Sequence, residues 1–227
     1  VQTCALPIYC RLVGAPLSPP IPMDQIAERL FGLTILWDTI EEMPGESILG
    51  AIVPEERLII LNESRKDLFA AKPGLERSTK GHELGHWDLY VDVSVLDHPR
   101  LFHADSPSVA FRSTPHGQAA VLKALQSSEA GMKFLRELQD RADDPHEERA
   151  VNRYAAALSM PRDLIVEAAH QIDRTQWRAL YRLAERFDVT ITALKVRLSQ
   201  LNLLYVDDSG QLFPSKDHAV GQMTIGF

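Results

Sequence analysis

The chain has 227 residues, enough for one domain with an appendage or for two small domains, and its 45% hydrophobic and 24% charged content is typical of a globular protein. The net charge of -7 at pH 7 argues against a protein whose main task is to bind nucleic acid. No apolar run approaches the roughly 18 to 20 residues of a membrane helix, and no secretory signal is recognisable. We therefore expect a cytoplasmic protein that makes no membrane contact.

Residues 1–22 are predicted to form a tail. Both cysteines, Cys4 and Cys10, lie within the first ten residues, which we exclude from the functional argument, so they give no information about the redox compartment. Four prolines between positions 16 and 22 predict an extended lead-in.

A small sheet is predicted next. Apolar residues at helical spacing predict a short helix over 23–32, and three strand-like runs follow it at 33–38, 47–53 and 57–62. The short connection between the last two runs indicates a hairpin.

Helices dominate the remainder of the chain. Ser64 is predicted to cap a short helix that Pro73 and Gly74 end, and a longer helix then extends to about residue 90. The proline-containing stretch 95–116 is predicted to be a loop. Further helices are expected at 117–127, 129–142, from Pro145 to about Ser159, from Pro161 to about 170, from a Thr175 cap to about Phe187 and from a Thr190 cap to about Asn202, followed by a short strand at 203–206. The sequence therefore predicts an α+β fold.

The chemistry is expected within the run His-Glu-Leu-Gly-His at positions 82–86. On a helix, His82 and His86 lie one turn apart on one face, where two imidazoles can bind one Zn²⁺. Glu83 could take a proton from a water that zinc acidifies and pass it to the leaving amine of a cleaved peptide, while zinc stabilises the developing oxyanion. The alternative is a surface helix that happens to carry two histidines.

A catalytic zinc usually has a third protein ligand. Asp92 lies six residues beyond the motif, but Leu89 occupies the position where a glycine would be needed to turn the chain back. Loop histidines are a second option, and carboxylates on the helix from Pro145 are a third. The candidates are His98, His103, His116, Glu147 and Glu148. Helical periodicity does not choose between the two glutamates, although Asn152, one turn after Glu148, could hydrogen-bond a ligating imidazole.

Two segments resemble the ImmA/IrrE family of metallo-endopeptidases: His-Glu-Leu-Gly-His-Trp at 82–87, and the segment 148–161 that runs from Glu148 to Met-Pro. The family pattern is Glu-x-x-Ala-Asn-x-Phe-Ala-x-x-Leu-Leu-Met-Pro, from which this chain departs at Val151, Tyr154 and Ser159. The region 183–201, from Leu183-Ala-Glu-Arg-Phe-Asp-Val-Thr through Leu198-Ser-Gln-Leu, is similar to the family's C-terminal helical portion.

This resemblance implies that His82, His86 and Glu148 are the zinc ligands and that Glu83 is the catalytic base. It also implies a gluzincin-like minimal metallopeptidase core, a small sheet with active-site helices, over 23–161, a helix-turn-helix-like portion over 162–206, and a C-terminal tail over 207–227. The family's substrates are proteins, often helix-turn-helix repressors whose cleavage switches on a mobile-element or stress response.

Two departures from the family bear on the site. Tyr90 stands where the family often has a His, so we expect it to pack or, as the alternative, to donate a hydrogen bond to the oxyanion. The separation between His86 and Glu148 is long for the family, and residues 117–142 are expected to form an inserted helical hairpin. We favour a solvated insert; the alternatives are that it covers the cleft or binds a partner.

The segment 174–202 supports a rival interpretation. Its two predicted helices resemble a helix-turn-helix, and it carries six basic residues against Glu185 and Asp188. DNA contact is weighed here against an ordinary amphipathic pair, which we favour because Asp188 occupies a turn position where glycine is common. The rival functions are a regulatory or DNA-binding module with a structural or sensory zinc site, and one member of a toxin–antitoxin-like pair.

Overall fold

The structure is a computed structural model, and it describes residues 5–40, 42, 47–96 and 145–219. The predicted insert 117–142 and the loop histidines His98, His103 and His116 lie outside the described residues. Helices and small sheets are both present, as the α+β prediction requires. The chain divides into two compact units, the first made of 1–23, 69–78 and 156–227 and the second of 24–68 and 79–155.

The second unit contains a three-stranded sheet. Its strands are β1 (Thr34–Asp38), β2 (Gly50–Val53) and β3 (Leu58–Asn62), in the order β1-β3-β2. β3 pairs antiparallel with β2, which confirms the predicted hairpin, and parallel with β1. A cluster of buried apolar side chains packs on this sheet: Ile40, Ala51, Val53 and Ile60.

Asn62 ends the central strand and caps the turn that follows. Its side chain is fully buried, accepts hydrogen bonds from the backbone N–H of Ser64 at 3.1 Å and of Ile40 at 3.2 Å, and donates to the Ile48 carbonyl at 2.9 Å. The prediction that Ser64 caps this segment is therefore wrong, because the amide of Asn62 already satisfies the backbone donor there. A single 3₁₀ turn leads from Asn62 into the next helix.

Between the tail and residue 96, the predicted helices are present, together with a short additional one. They are α2 (Met23–Ile26), which continues as a π-helical turn Ala27–Phe31, α3 (Lys66–Ala71), α4 (Leu75–Tyr90) and α5 (Val93–Leu96). The sequence did not predict α5, which overlaps the start of the predicted loop 95–116. The next described helix is α6 (Pro145–Ser159), with proline in its first turn as predicted. The part of α4 from Thr79 onward and the part of α6 up to Ala155 belong to the second unit.

The first unit is mainly helical. It contains α1 (Ala5–Val13), which lies in the predicted tail, and α7 (Arg162–His170), α8 (Trp177–Phe187) and α9 (Ile191–Gln200), followed by the hairpin β4 (Tyr205–Val206) and β5 (Leu212–Phe213). Its core joins fully buried side chains from the bend before α7 and from the three helices α7, α8 and α9: Met160, Ile165, Leu180, Phe187, Leu194 and Leu198. Among the residues that the structure describes, no helix combines the length and apolarity needed to cross a membrane.

The two predicted threonine caps have different outcomes. Thr190 accepts a hydrogen bond from the Ala193 N–H at 3.1 Å and caps α9 as predicted. Thr175 does not cap α8, because its hydroxyl instead donates to Asp173 and the helix starts one residue later than that cap would require. Asp188 adopts the left-handed conformation (φ 50°), so the position where glycine is common keeps a glycine-like backbone.

Candidate metal centre

The two histidines of the 82–86 run face each other on α4. Their Nε2 atoms are 3.1 Å apart, and the rings meet edge to face with centroids separated by 4.8 Å. His86 is buried, with 7% of its surface exposed. One helical turn separates the two residues, so this convergence follows from the i, i+4 spacing.

A carboxylate from α6 completes the cluster. Glu148 places Oε2 3.5 Å from Nε2 of His82 and Oε1 3.5 Å from Nε2 of His86. One ligand atom from each of these three residues lies within 4.8 Å of the others. The structure thus brings together the three residues predicted as zinc ligands, although their role as ligands remains a prediction.

Gly85 allows α4 and α6 to approach this closely. A Cβ atom at Gly85 would lie 3.1 Å from Cγ1 of Val151, 3.2 Å from the Val151 carbonyl oxygen and 3.3 Å from Cδ1 of Tyr154. All three distances are shorter than an ordinary contact, so the helices pack backbone to backbone at this point. The sequence interpretation did not assign a role to this glycine, although a Gly inside a helix is itself a sign of close packing.

The donor set suits a zinc ion. Two imidazole nitrogens and a carboxylate oxygen are ligands typical of catalytic zinc, with Zn–N and Zn–O distances near 2.1 Å. Tetrahedral coordination at that distance separates two ligand atoms by about 3.4 Å. The two Nε2 atoms are 3.1 Å apart, and each lies 3.5 Å from a different carboxylate oxygen of Glu148. Each of these distances is within a few tenths of an ångström of the tetrahedral value, and one oxygen of Glu148 with both imidazoles lies within 4.8 Å. The residues therefore fit the ion.

Asn152 orients the first histidine. Its Oδ1 lies 3.2 Å from Nδ1 of His82, within hydrogen-bond reach. An N–H at Nδ1 that donates to this oxygen leaves the lone pair on Nε2, the nitrogen that faces His86 and Glu148. The contact that helical spacing suggested for Asn152 is therefore present.

Glu83 lies beside the cluster rather than within it. Its side chain is buried, and it is not among the potential metal-binding groups found in the described part of the chain. A Cβ atom at Gly50, the first residue of β2, would lie 3.3 Å from Oε1 of Glu83, so this carboxylate faces the start of the strand. This position is compatible with the predicted base, a role that remains a prediction.

Other predicted site residues lie elsewhere. Asp92 accepts hydrogen bonds from the backbone N–H of Ser94 at 3.0 Å and from its hydroxyl at 2.6 Å, so it supports the local turn into α5. Tyr90 has 41% of its surface exposed at the end of α4, which does not fit a buried packing role.

The basic residues of 174–202 are partly used inside the first unit. Arg174 donates to the Leu203 carbonyl at 2.8 Å, and the buried Arg197 donates to the Met160 carbonyl at 3.1 Å. Burial, followed by the neighbouring charge of Arg162, lowers the pKa of Arg197. These two of the six basic residues have structural roles, which reduces the charge available for DNA.

Comparison with known proteins supports the family resemblance. The sequence model of the IrrE N-terminal-like domain, peptidase family M78, matches residues 125–199, which include Glu148 and Asn152. This match confirms the predicted resemblance to the ImmA/IrrE family. No curated protein sequence matches the chain.

One similar solved structure is a Mycobacterium tuberculosis transcriptional regulator, with 15% sequence identity and a TM-score of 0.43. The similarity covers 92% of this chain and 52% of the regulator, so this chain spans about half the length of that protein. A similarity this weak supports no conclusion about function.

Proposed function

We propose that this chain, which resembles the IrrE-like peptidases through residues 125–199, is a zinc-dependent endopeptidase. The observation that carries the proposal is the convergence of His82, His86 and Glu148 from two helices within 4.8 Å of one another. Two imidazole nitrogens and a carboxylate brought this close together form a donor set typical of catalytic zinc.

When bound, zinc would acidify a water molecule and polarise a peptide carbonyl. Glu83 would take a proton from that water and deliver it to the leaving amine, because it follows the first ligand directly and its carboxylate stands beside the cluster. The burial of Glu83 next to Gly50 restrains the carboxylate, so little conformational freedom is lost when it acts. Asn152 would hold His82 in the tautomer that ligation requires.

The proposed substrate is a protein, namely a helix-turn-helix transcriptional repressor. This part of the proposal is supported by the family resemblance alone. Cleavage of such a repressor would release the genes that it controls, as in a stress response.

The experiment combines a substrate assay with one isosteric variant. The protein is incubated with the repressor encoded beside it, with and without a zinc chelator, and products are identified by mass spectrometry. Glu83→Gln should retain one equivalent of zinc and lose cleavage by at least 100-fold, because it removes the base and no ligand. Asp88→Asn, a charge removal at an exposed position of the same helix, is the matched control and should cleave normally.

Chelation should abolish cleavage, and added zinc should restore it. Full cleavage by Glu83→Gln, or purified protein that takes up no zinc, would overturn the proposal. The rival function, a regulatory or DNA-binding module, predicts that Glu83→Gln behaves like the wild type. The internal roles of Arg174 and Arg197 favour the peptidase over the DNA-binding alternative.

A further inference from the structure

Glu147 lies beside the second histidine, on the side away from the proposed metal position. Its Oε1 is 3.9 Å from Nδ1 of His86, whereas Nε2 of His86 faces His82 and Glu148. We propose that Glu147 is a positioning residue, which orients His86 and increases the basicity of its ligating nitrogen. This inference rests on the proposed zinc site.

The chemistry of a ligating imidazole demands such a partner. If Nε2 binds a cation, Nδ1 carries the ring proton and needs a hydrogen-bond acceptor. The side chain of His86 is 9% exposed, so water has little access to it. A carboxylate that accepts this N–H would fix the ring plane and strengthen the ligand bond, as partners of metal-bound histidines generally do.

The observed distance requires a small closing movement. A separation of 3.9 Å exceeds the usual limit of a hydrogen bond by about 0.7 Å. Glu147 is 25% exposed on its side chain, and rotation about its terminal torsions can close a gap of this size without moving the backbone. The partial positive charge at Nδ1 that follows cation binding would favour this closure.

The same helix then serves both histidines. Relative to the proposed ligand Glu148, the preceding residue Glu147 faces Nδ1 of His86, and Asn152, four residues later, faces Nδ1 of His82. An oxygen from α6 lies near the Nδ1 atom of each imidazole, at 3.2 Å for His82 and at 3.9 Å for His86. The sequence pattern does not distinguish the two adjacent glutamates. In this proposal Glu148 is the ligand and Glu147 is the positioning residue.

A competing account is that Glu147 only stabilises the start of α6 through the helix dipole. This account predicts a change in the stability of the zinc-free protein and no change in zinc affinity. It also predicts equal effects of Glu147→Gln and Glu147→Ala, because both remove the charge.

The test measures the dissociation constant of zinc by competition with a chromophoric chelator, and the thermal midpoint of the zinc-free protein. Glu147→Ala should weaken zinc binding about 10- to 100-fold. Glu147→Gln keeps an oxygen acceptor at the same position and should lose clearly less. Asp163→Asn, which removes an exposed acidic charge from the first turn of α7, is the matched control and should leave the zinc dissociation constant unchanged.

A dissociation constant of Glu147→Ala within about threefold of the wild type would overturn the inference and leave the peptidase proposal intact. Equal losses in the Gln and Ala variants would also overturn it in favour of a charge effect alone. A wild-type protein that binds no zinc would instead refute the peptidase proposal itself. If Glu147→Ala fails to fold, the isosteric Gln variant still decides, since a wild-type value for it would contradict the expected partial loss.

Discussion

Gly85→Ala is predicted to loosen the contact between the two helices that carry the proposed ligands. The added methyl group would lie 3.1 Å from Cγ1 of Val151, which can rotate, and 3.2 Å from the Val151 carbonyl oxygen, which cannot. The backbone of α6 must therefore move away by a few tenths of an ångström. Glu148 lies one turn before Val151 on that helix, so its carboxylate moves as well.

Two opposing effects set the magnitude. Overpacking a tight core contact costs about 1–3 kcal/mol, whereas alanine is about 1 kcal/mol better than glycine inside a helix. The net change is a loss of up to about 2 kcal/mol of unfolding free energy. In a protein of this size, each 1 kcal/mol corresponds to about 2–4 °C in the melting temperature.

The assay is thermal unfolding of the zinc-free protein together with a zinc titration. We expect Gly85→Ala to melt several degrees lower and to bind zinc at least tenfold more weakly. Asp88→Ala is the control for helix propensity, because it lies on an exposed position of the same helix and should be neutral or stabilising. A Gly85→Ala variant that melts higher than the wild type with unchanged zinc affinity would refute the reasoning.

Three further predictions concern Asn152, Asn62 and Asp207. Asn152→Ala should weaken zinc binding about 10- to 100-fold in a chelator competition, while Asn152→Asp, which keeps an oxygen acceptor, should lose less; equal affinity of the Ala variant and the wild type would contradict the proposed contact. Asn62→Ala should lower the unfolding free energy measured in urea by about 3 kcal/mol, because it strands several buried backbone groups at once; a loss below about 1 kcal/mol would show that water or a neighbour replaces the amide. The hydroxyl of Ser209, followed by backbone N–H donors, lowers the pKa of the Asp207 carboxyl below its ordinary value. Its carboxylate therefore stabilises the fold above about pH 4, and this contribution is lost as the pH falls through the lowered pKa, so Asp207→Asn should melt below the wild type at pH 7 and match it near pH 2.

Local spacing was sufficient to predict much of the proposed site. The i, i+4 separation of His82 and His86 fixes their relative position as soon as the segment is helical, and Pro145 marks the start of the helix that carries Glu148. Which of the adjacent glutamates reaches the Nε2 atoms of both histidines depends on how α6 is rotated against α4. That rotation is set by contacts such as Val151 with Gly85, which are distant in the sequence.

In the sheet, too, features set by neighbouring residues could be predicted from the sequence, and pairings between distant residues could not. The hairpin of β2 and β3 follows from a short connection, whereas the parallel pairing of β1 with β3 joins residues 24 positions apart, such as Thr34 and Leu58. The cap at Asn62 was missed because Ser64 has an equally suitable side chain, and only the buried position of Asn62 decides between them. Strand β5 was missed because two-residue strands carry no periodicity.

Helix α6 alone carries the proposed third ligand and both residues that face the Nδ1 atoms of the histidines. These three residues, Glu147, Glu148 and Asn152, all lie within the first eight residues of this helix. A displacement of α6 by 1 Å would therefore move the proposed ligand Glu148 and the partners of both imidazole rings at the same time. Metal affinity should therefore change steeply with any shift of α6. A protein that bound to α6 could raise or lower metal affinity without contacting the histidines.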